Sequence, residues 1–180
     1  MTIAATGCLS APEWGFEILL GDCATWRTMC GAADRVNALA HVYAHSLPEP
    51  GNGDEYSRAE LEGYRPFAIV GVVSYEGRRV SRGSGSGFSG TGEIGCLIER
   101  ATPAGLIATP GDAMRDWENV VGAIISDIFG LAGTAPSEDS RYLDVRDVRL
   151  VDPPWTNERK AAKIEGYKQR VLLAFPWGLE

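Results

Sequence analysis

A cluster of basic residues beside a glycine-rich stretch is the part of this sequence whose residue types most clearly suggest a binding role. Arg78, Arg79 and Arg82 precede residues 83–92, a segment of glycine, serine and threonine in which Phe88 is the only large apolar residue. Guanidinium groups hold carboxylates and phosphates through paired hydrogen bonds, and an aromatic ring can fill a pocket on a partner. We therefore single out these four side chains as a candidate subunit-interface site. The simpler explanation of the arginines is a solvated hairpin edge, where charge discourages strand pairing.

Residues 85–90 match the pattern GxGxxG, which cradles phosphate groups in dinucleotide-binding proteins. There the pattern works because a strand precedes it and a helix begins directly after it. Here the residues that follow, 93–100, have the apolar character of a strand, so we expect a flexible loop. The alternative function is a small enzyme or an anion- or nucleotide-binding domain that uses this loop together with Arg78, Arg79 and Arg82.

No other combination of residues has the spacing of a catalytic or metal site. His41 and His45 are four residues apart, but the zinc-protease pattern requires glutamate at the position of Val42. The nucleophile pattern GxSxG does not occur. Asp112 and Asp116 stand near the start of a predicted helix, where carboxylates stabilise its positive end. We expect no catalytic residue, no cofactor and no metal, and therefore no enzyme.

Composition restricts the partners further. The 180 residues carry a net charge of −7 and a pI of about 4.9, which argues against nucleic acid as a general or sequence-specific partner. We expect no signal peptide and no membrane partner, because the N-terminus lacks the charged region of a leader and the apolar runs are short. Cys8, Cys23, Cys30 and Cys96 form no CxxC pair, so we expect free thiols and synthesis in a cytoplasm.

Two segments have the three- and four-residue apolar spacing of amphipathic helices. The first covers residues 22–45, with Asp22 or Thr25 as its cap. The second begins at Thr109 and Pro110, a favoured pair for a helix start. Its apolar stripe comprises Met114, Trp117, Val120, Val121, Ile124, Ile125 and Ile128.

Four further segments are predicted to be strands: residues 67–75, 93–100, 141–151 and 167–175. Alternation in the third of them slips by one residue near Arg146 and Asp147, which predicts a β-bulge. Helices and strands together predict an α+β fold in which an antiparallel sheet of about four strands packs against two amphipathic helices.

The length is typical of a single domain over residues 1–180. We expect two appendages, an N-terminal arm at residues 1–21 and a Gly/Ser-rich hairpin loop at residues 78–92. Within the arm, residues 16–20 are compatible with a short strand or with an extension that packs on a neighbour.

The order of these elements resembles that of bacteriophage tail terminator and tail-completion proteins, which act at the head–tail junction. The resemblance spans residues 22–176. The local patterns behind it are residues 32–36, 92–94, 117–128, 142–145 and 171–175. It lies in the pattern of elements and not in a motif, so no catalytic residue is carried over.

That resemblance implies a structural virion protein that caps the tail tube and joins it to the head connector. The implied partners are further copies of the chain in a ring, for which a hexamer is one option, the tail tube protein and the head–tail connector or stopper protein. The implied location is the virion, at the tail or the head–tail junction, after synthesis in the host cytoplasm.

Overall fold

A computed structural model of the chain describes residues 10–51, 55–82, 85–132, 144–145, 147–150 and 168–179. The α-helices in these ranges are α1 Ser10–Asp22, α2 Ala24–Cys30, α3 Arg35–Leu39, α4 Arg58–Tyr64 and α5 Pro110–Ala132. The strands are β1 Val42–Ala44, β2 Phe67–Arg82, β3 Gly85–Ala101, β4 Asp144–Val145, β5 Arg149–Leu150 and β6 Lys168–Leu179. A short 3-10 helix, Ala104–Leu106, precedes α5. The predicted α+β class is confirmed.

One mixed sheet holds all of these strands in the order β1-β2-β3-β6-β4, with β5 also paired to β6. β1 runs parallel to β2, and every other pairing is antiparallel, so the predicted antiparallel character is confirmed for most of the sheet. The core face is built in rows across three strands. One such row joins Val70, Cys96 and Leu173, all fully buried.

A bulge interrupts the strand at the outer edge of β6, where the sequence predicted one. Val145 pairs with Trp177 and Arg149 pairs with Ala174, so the register shifts by one residue between β4 and β5; Arg146, which stands between these pairs, lies outside the described residues. The single extra residue between β4 and β5 accounts for the slip in alternation.

A second bulge lies in β2 at Val73, where the register with β3 shifts between Val72 and Ser74. Val73 has 66% of its surface exposed. Because side chains alternate along a strand, the extra residue moves all later positions to the other face of the sheet. Tyr75 therefore packs against the core.

The prediction of one helix over residues 22–45 is wrong. Gly31 has a positive φ of 65° and ends α2, and Asp34 caps a separate helix, α3. The chain then forms strand β1, which pairs with residues 68–70 of β2. The apolar spacing is real, but it is divided between two short helices and a strand that all pack on the same core.

The interpretation of residues 16–20 as a strand or an arm is also wrong, because they belong to α1. Every residue from position 12 to position 22 is buried or half-buried. The ring of Phe16 lies 4.7 Å from that of Phe175 in β6. On the opposite side, a Cβ at Gly21 would come within 3.0 Å of Leu39, so glycine permits the close approach of α1 and α3. Residues 1–9 of the predicted arm lie outside the described residues.

α5 has the start and the buried stripe that the sequence predicts. Its buried residues are Ala113, Trp117, Val121, Ile124 and Ile128. Two polar contacts fasten it to β6. Trp117 Nε1 donates to the carbonyl of Arg170 at 3.4 Å, and Gln169 Nε2 donates to the carbonyl of Ala113 at 2.6 Å.

Truncation of the buried stripe is the first test of this core. Ile124→Ala removes a fully buried side chain, and we expect a loss of about 2–5 kcal/mol in the free energy of unfolding. Val36→Ala is the matched control, because Val36 is 75% exposed and its truncation is expected to change stability by less than about 0.5 kcal/mol. Urea denaturation measures both, and equal effects would contradict the assignment of the buried face.

Candidate assembly interface

The predicted Gly/Ser-rich loop is for the most part a strand. Residues 85–92 belong to β3 and pair in continuous register with residues 75–82 of β2. The prediction of a flexible loop over residues 83–92 is therefore wrong from position 85 onward, and residues 83–84 lie outside the described residues. Gly/Ser composition was misleading because the partner strand supplies the ladder of backbone hydrogen bonds.

The outer part of this hairpin contains all four residues of the predicted interface site. β6 pairs with β3 only as far as Leu179, opposite Gly90. Beyond that point β2 and β3 pair only with each other in the described part of the chain. We call this two-stranded segment, residues 78–82 and 85–89, the ribbon. Its register pairs Arg79 with Phe88.

The other two arginines of the site are also placed by the register of the ribbon. Arg78 pairs with Ser89 and Arg82 pairs with Gly85. All four backbone positions thus lie within a short length of one hairpin. The sequence identified these residues as neighbours along the chain, and the strand pairing makes the arginines and Phe88 neighbours across it.

Tyr75 and Gly90 form the base of the ribbon. A Cβ built on Gly90 would lie 2.8 Å from Cε2 of Tyr75, so the tyrosine ring covers the space that a side chain would need. Gly90 is buried, whereas Ser74 and Glu76 on either side of Tyr75 are exposed. An aromatic ring thus packs on glycine backbone at the point where β6 ends and the ribbon begins.

Glu13 of α1 covers the edge of β2 below the ribbon. β1 ends opposite Val70, and the next edge amide, that of Val72, donates to the Glu13 carboxylate. His45 Nε2 lies 3.1 Å from the same carboxylate. Burial raises the pKa of Glu13, although His45 and the Val72 amide oppose that shift. Burial and the neighbouring Glu13 raise the pKa of Glu17 to about 7.

The two histidines do not converge on a common site. His41 Nδ1 lies 2.9 Å from the carbonyl oxygen of Pro66, whereas His45 faces Glu13. Within the described ranges no group of three or more histidine, cysteine, aspartate or glutamate side chains has an arrangement that could hold a metal ion.

A cleft of about 340 Å³ is a second feature, and sequence reasoning missed it. It lies where α2, the end of β3 and α5 meet, and its residues come from four separate parts of the chain. They are Thr25, Thr28, Met29, Arg65, Pro66, Arg100, Ala101, Pro103 and Val120. No local pattern in the sequence signals a site assembled in this way.

The two arginines of the cleft are already paired with carboxylates. Arg65 contacts Glu99 through Nε at 2.8 Å and through Nη2 at 2.6 Å. Arg100 pairs with Asp116, donates from Nε to Gln169 at 2.8 Å, and lies over the ring of Trp117 at 4.8 Å. The cleft therefore has fixed guanidinium groups whose charge is largely balanced.

Asp127 of α5 holds α2, which forms one wall of the cleft, in place. The Asp127 carboxylate accepts hydrogen bonds from the backbone amide of Thr25 at 2.8 Å and from the Cys23 thiol at 3.3 Å. It also accepts from the Ala24 amide and the Thr25 hydroxyl. Burial alone would raise the pKa of Asp127, but these hydrogen bonds outweigh it and the pKa is lowered. The N-cap of α2 is Cys23, whose Sγ accepts from the Trp26 amide at 3.3 Å, so the predicted cap, Asp22 or Thr25, is wrong. Asp127 adds a second acceptor for the first turn of α2 from another helix.

The described cysteines are unreactive at neutral pH. Cys23, Cys30 and Cys96 are free thiols. Burial raises the pKa of Cys23 and of Cys30 to about 12, and it also raises that of fully buried Cys96. Protonated thiols are poor nucleophiles, so these three behave as small apolar core residues. Cys8 lies outside the described residues.

Comparison with known proteins yields no identification. No protein-family model matches the sequence, and no curated protein sequence matches it. Among the helices that the structure describes, none combines the length and the apolar character needed to cross a lipid bilayer.

Asp127→Ala tests the attachment of α2. We expect a loss of about 1–2 kcal/mol in the free energy of unfolding at pH 7, because the Thr25 amide in the first turn of α2 loses its acceptor while the Cys23 cap remains. Since the folded-state pKa of Asp127 is lowered, the stabilisation is present at neutral pH and is lost as the pH falls below about 4. Urea titrations of both proteins from pH 7 to pH 3 measure this. Glu118→Ala, at an exposed position of the same helix, is the control, and a stability difference independent of pH would contradict the assignment.

Proposed function

We propose that the chain is a structural, non-enzymatic subunit that assembles with further copies into a ring. In this proposal the ring caps a bacteriophage tail tube and joins it to the head connector. The observation that carries the assembly role is the ribbon, a two-stranded extension of β2 and β3 beyond the end of β6.

The ribbon is expected to have little stability of its own in an isolated chain. A two-stranded hairpin alone in water is marginally stable at best, and its free edges can pair with other strands. Glycine-rich strands also lose more conformational entropy on ordering than other strands do. Contacts with a neighbouring subunit would offset this cost, so the ribbon supports a role in assembly.

The charge distribution supports a second copy of the chain as the neighbour. The net charge is −7 although the ribbon contains Arg78, Arg79 and Arg82. The remainder of the chain is therefore strongly acidic, and a basic ribbon is complementary to the surface of another copy. Contact between two different patches of one chain is head-to-tail, which closes into a ring when the rotation allows.

The finer role at the head–tail junction rests on the resemblance in element order that the sequence provides. Of that predicted order, the second helix is α5, the third strand is β4 and β5, and the closing strand is β6. The first helix of the order is not present as one element, because residues 22–45 form α2, α3 and β1. The tail tube protein and the connector or stopper protein are the partners that this role requires.

The rival function, an anion- or nucleotide-binding domain built on the Gly-rich segment, is not favoured by the backbone geometry. A phosphate-binding turn needs several amide groups that converge on one point. Residues 85–90 are instead paired with β2, and strand geometry directs successive amides to opposite sides. The ribbon therefore lacks the backbone shape that the rival function requires.

Shortening the ribbon tests the assembly role. Replacement of residues 79–88 by Asn-Gly joins Arg78 to Ser89 through a two-residue turn and leaves every pairing between β3 and β6 in place. We expect a folded monomer, seen by circular dichroism and light scattering. We also expect the loss of rings in electron micrographs and of attachment to purified tail tubes.

Ser86→Thr is the control for this experiment, because it changes the ribbon while keeping its length, its arginines and Phe88. It should assemble like the unmodified chain. Normal rings from the shortened variant would show that the ribbon is a surface decoration and that the interface lies elsewhere.

Thermal melting in the presence of ligands tests the rival function. We expect ATP, pyrophosphate and Zn²⁺ to leave the melting temperature unchanged. A ligand at about 100 times its Kd stabilises the folded state by about 2.7 kcal/mol, which is roughly 5–10 °C for a chain of this size. A saturable shift of that size that disappears in the shortened variant would favour an anion site on the ribbon.

A further inference from the structure

We propose that the ribbon joins subunits by strand addition, in which the free edge of β2 in one copy pairs antiparallel with the free edge of β3 in the next copy. This inference rests on the proposed function, because it identifies the contact between neighbouring subunits of the ring. Each copy supplies one edge to each of its two neighbours, and the ribbons together form one continuous sheet around the ring.

The outer edge of β2 is covered up to Val72 and open beyond that point, within the described residues. β1 pairs with residues 68–70 of β2. The chain then leaves the edge at His45, which has a positive φ of 62°. The next edge amide, that of Val72, donates to the carboxylate of Glu13, which is buried and therefore carries a desolvation cost. The fold thus covers the edge next to the core with a dedicated side chain and leaves the edge of the ribbon uncovered.

The other open edge of the ribbon belongs to β3 and lies on the opposite side. β6 pairs with β3 from Ala101 to Gly90, and no described strand pairs with residues 85–89 on that side. The two open edges belong to strands that run antiparallel to each other. All ribbons in a ring have the same orientation relative to the ring axis. β2 of one copy therefore meets β3 of the next as an antiparallel neighbour, in the relation that the two strands already have within one copy.

The bulge at Val73 determines which backbone groups face the open edge of β2. Before the bulge, even-numbered residues face outward: the Ala68 amide donates at 2.9 Å to the residue before β1, and the Val70 carbonyl accepts at 2.8 Å from the residue after β1. The extra residue reverses this alternation. Beyond it, Arg79 and Ser81 therefore direct their backbone N–H and C=O groups to the open edge.

The open edge of β3 presents a matching set of backbone groups. Residues directly opposite each other in an antiparallel ladder either exchange their hydrogen bonds or both direct them away from the pair. Ser81 is opposite Ser86, and Arg79 is opposite Phe88. Ser86 and Phe88 therefore direct their backbone groups away from β2, to the open edge of β3. Each edge of the ribbon offers donors and acceptors at two alternate positions, as strand addition requires.

The sequence of the ribbon favours pairing between unlike strands. β2 carries Arg78, Arg79 and Arg82, whereas residues 85–92 of β3 carry no charge. Pairing of two β2 strands would place the arginines of two copies on adjacent strands, where like charges are destabilising. Pairing of β2 with β3 avoids this repulsion and closes both edges. Because backbone groups make the contact, the arginines remain available for the acidic surface of the neighbouring copy.

Proline at two serines blocks one edge at a time. The amides of Ser81 and Ser86 face opposite edges, so neither is needed within the hairpin, and proline is tolerated at such positions. Ser81→Pro blocks the edge of β2 and Ser86→Pro blocks that of β3. Each variant alone should associate at least about tenfold more weakly in Kd, the loss expected for one backbone hydrogen bond, and should form no rings. Ser81→Thr and Ser86→Thr keep both amides and should assemble normally.

Mixing the two proline variants is the decisive experiment. The Ser81→Pro chain retains an open β3 edge and the Ser86→Pro chain retains an open β2 edge, so one contact can form between them. We expect a one-to-one heterodimer that grows no further, measured by native mass spectrometry and sedimentation. Circular dichroism and thermal melting of each variant alone check that both are folded.

Hydrogen exchange of the unmodified chain gives a second measurement that needs no variant. The amides of Arg79, Ser81, Ser86 and Phe88 should exchange at least about tenfold more slowly in the ring than in the dilute monomer. The amide of Cys96, in the centre of the sheet, is the control and should be protected in both states. Equal exchange of the four ribbon amides in ring and monomer would overturn the inference even if a proline variant failed to fold.

The outcomes separate this inference from the proposed function. If the unmodified chain stays monomeric at high concentration and on tail tubes, the proposed function fails and the inference fails with it. If that chain forms rings and both proline variants also form rings, or if the mixture gives no heterodimer, only the inference is overturned. Dimers of Ser86→Pro alone would indicate pairing of β2 with β2, and dimers of Ser81→Pro alone would indicate pairing of β3 with β3. Either result would also overturn it.

Discussion

The burial of α1 on the sheet is the constraint on which the rest of the fold depends. α1 is buried or half-buried around its whole circumference, so the sheet alone cannot cover it. Phe16 faces Phe175 on the sheet side, and Gly21 meets Leu39 of α3 on the outer side. α2, α3 and α5 all contact α1 and supply the remaining cover. The cleft forms where two of these covering helices approach the end of β3.

Sequence reasoning succeeded where a periodic pattern was long and belonged to one element. α5 illustrates this, since its Pro110 start and its buried positions Trp117, Ile124 and Ile128 follow directly from spacing. The register shift between β4 and β5 was also predictable. Side chains alternate along a strand, so a slip of one residue in the apolar alternation indicates one extra residue in that strand.

Sequence reasoning failed where one apolar pattern extended over more than one element, as in residues 22–45. It also failed where pairing with another strand determined the secondary structure, as in residues 85–92. Spacing over residues 22–45 could not reveal that Gly31 adopts a left-handed conformation and divides the segment. α1 was missed because it is covered on every side and even its carboxylates Glu13 and Glu17 are buried or half-buried, so its sequence has no amphipathic signature. The cleft was beyond prediction, because Thr28, Arg65, Arg100 and Val120 are brought together only by the tertiary fold.

The paired register of the ribbon restricts how its length can change in related chains. Its inner end is fixed at Gly77 and Gly90, where Tyr75 and the end of β6 begin the core. Insertion of a single residue in one strand alone inverts the faces of all positions beyond it, as the bulge at Val73 does, so a change that keeps both the faces and the register adds equal numbers of residues to both strands. The reach of the ribbon therefore varies in steps of about 3.4 Å for each added pair. Under the proposed ring assembly, related chains that form rings of different diameter should differ in this segment by even numbers of residues.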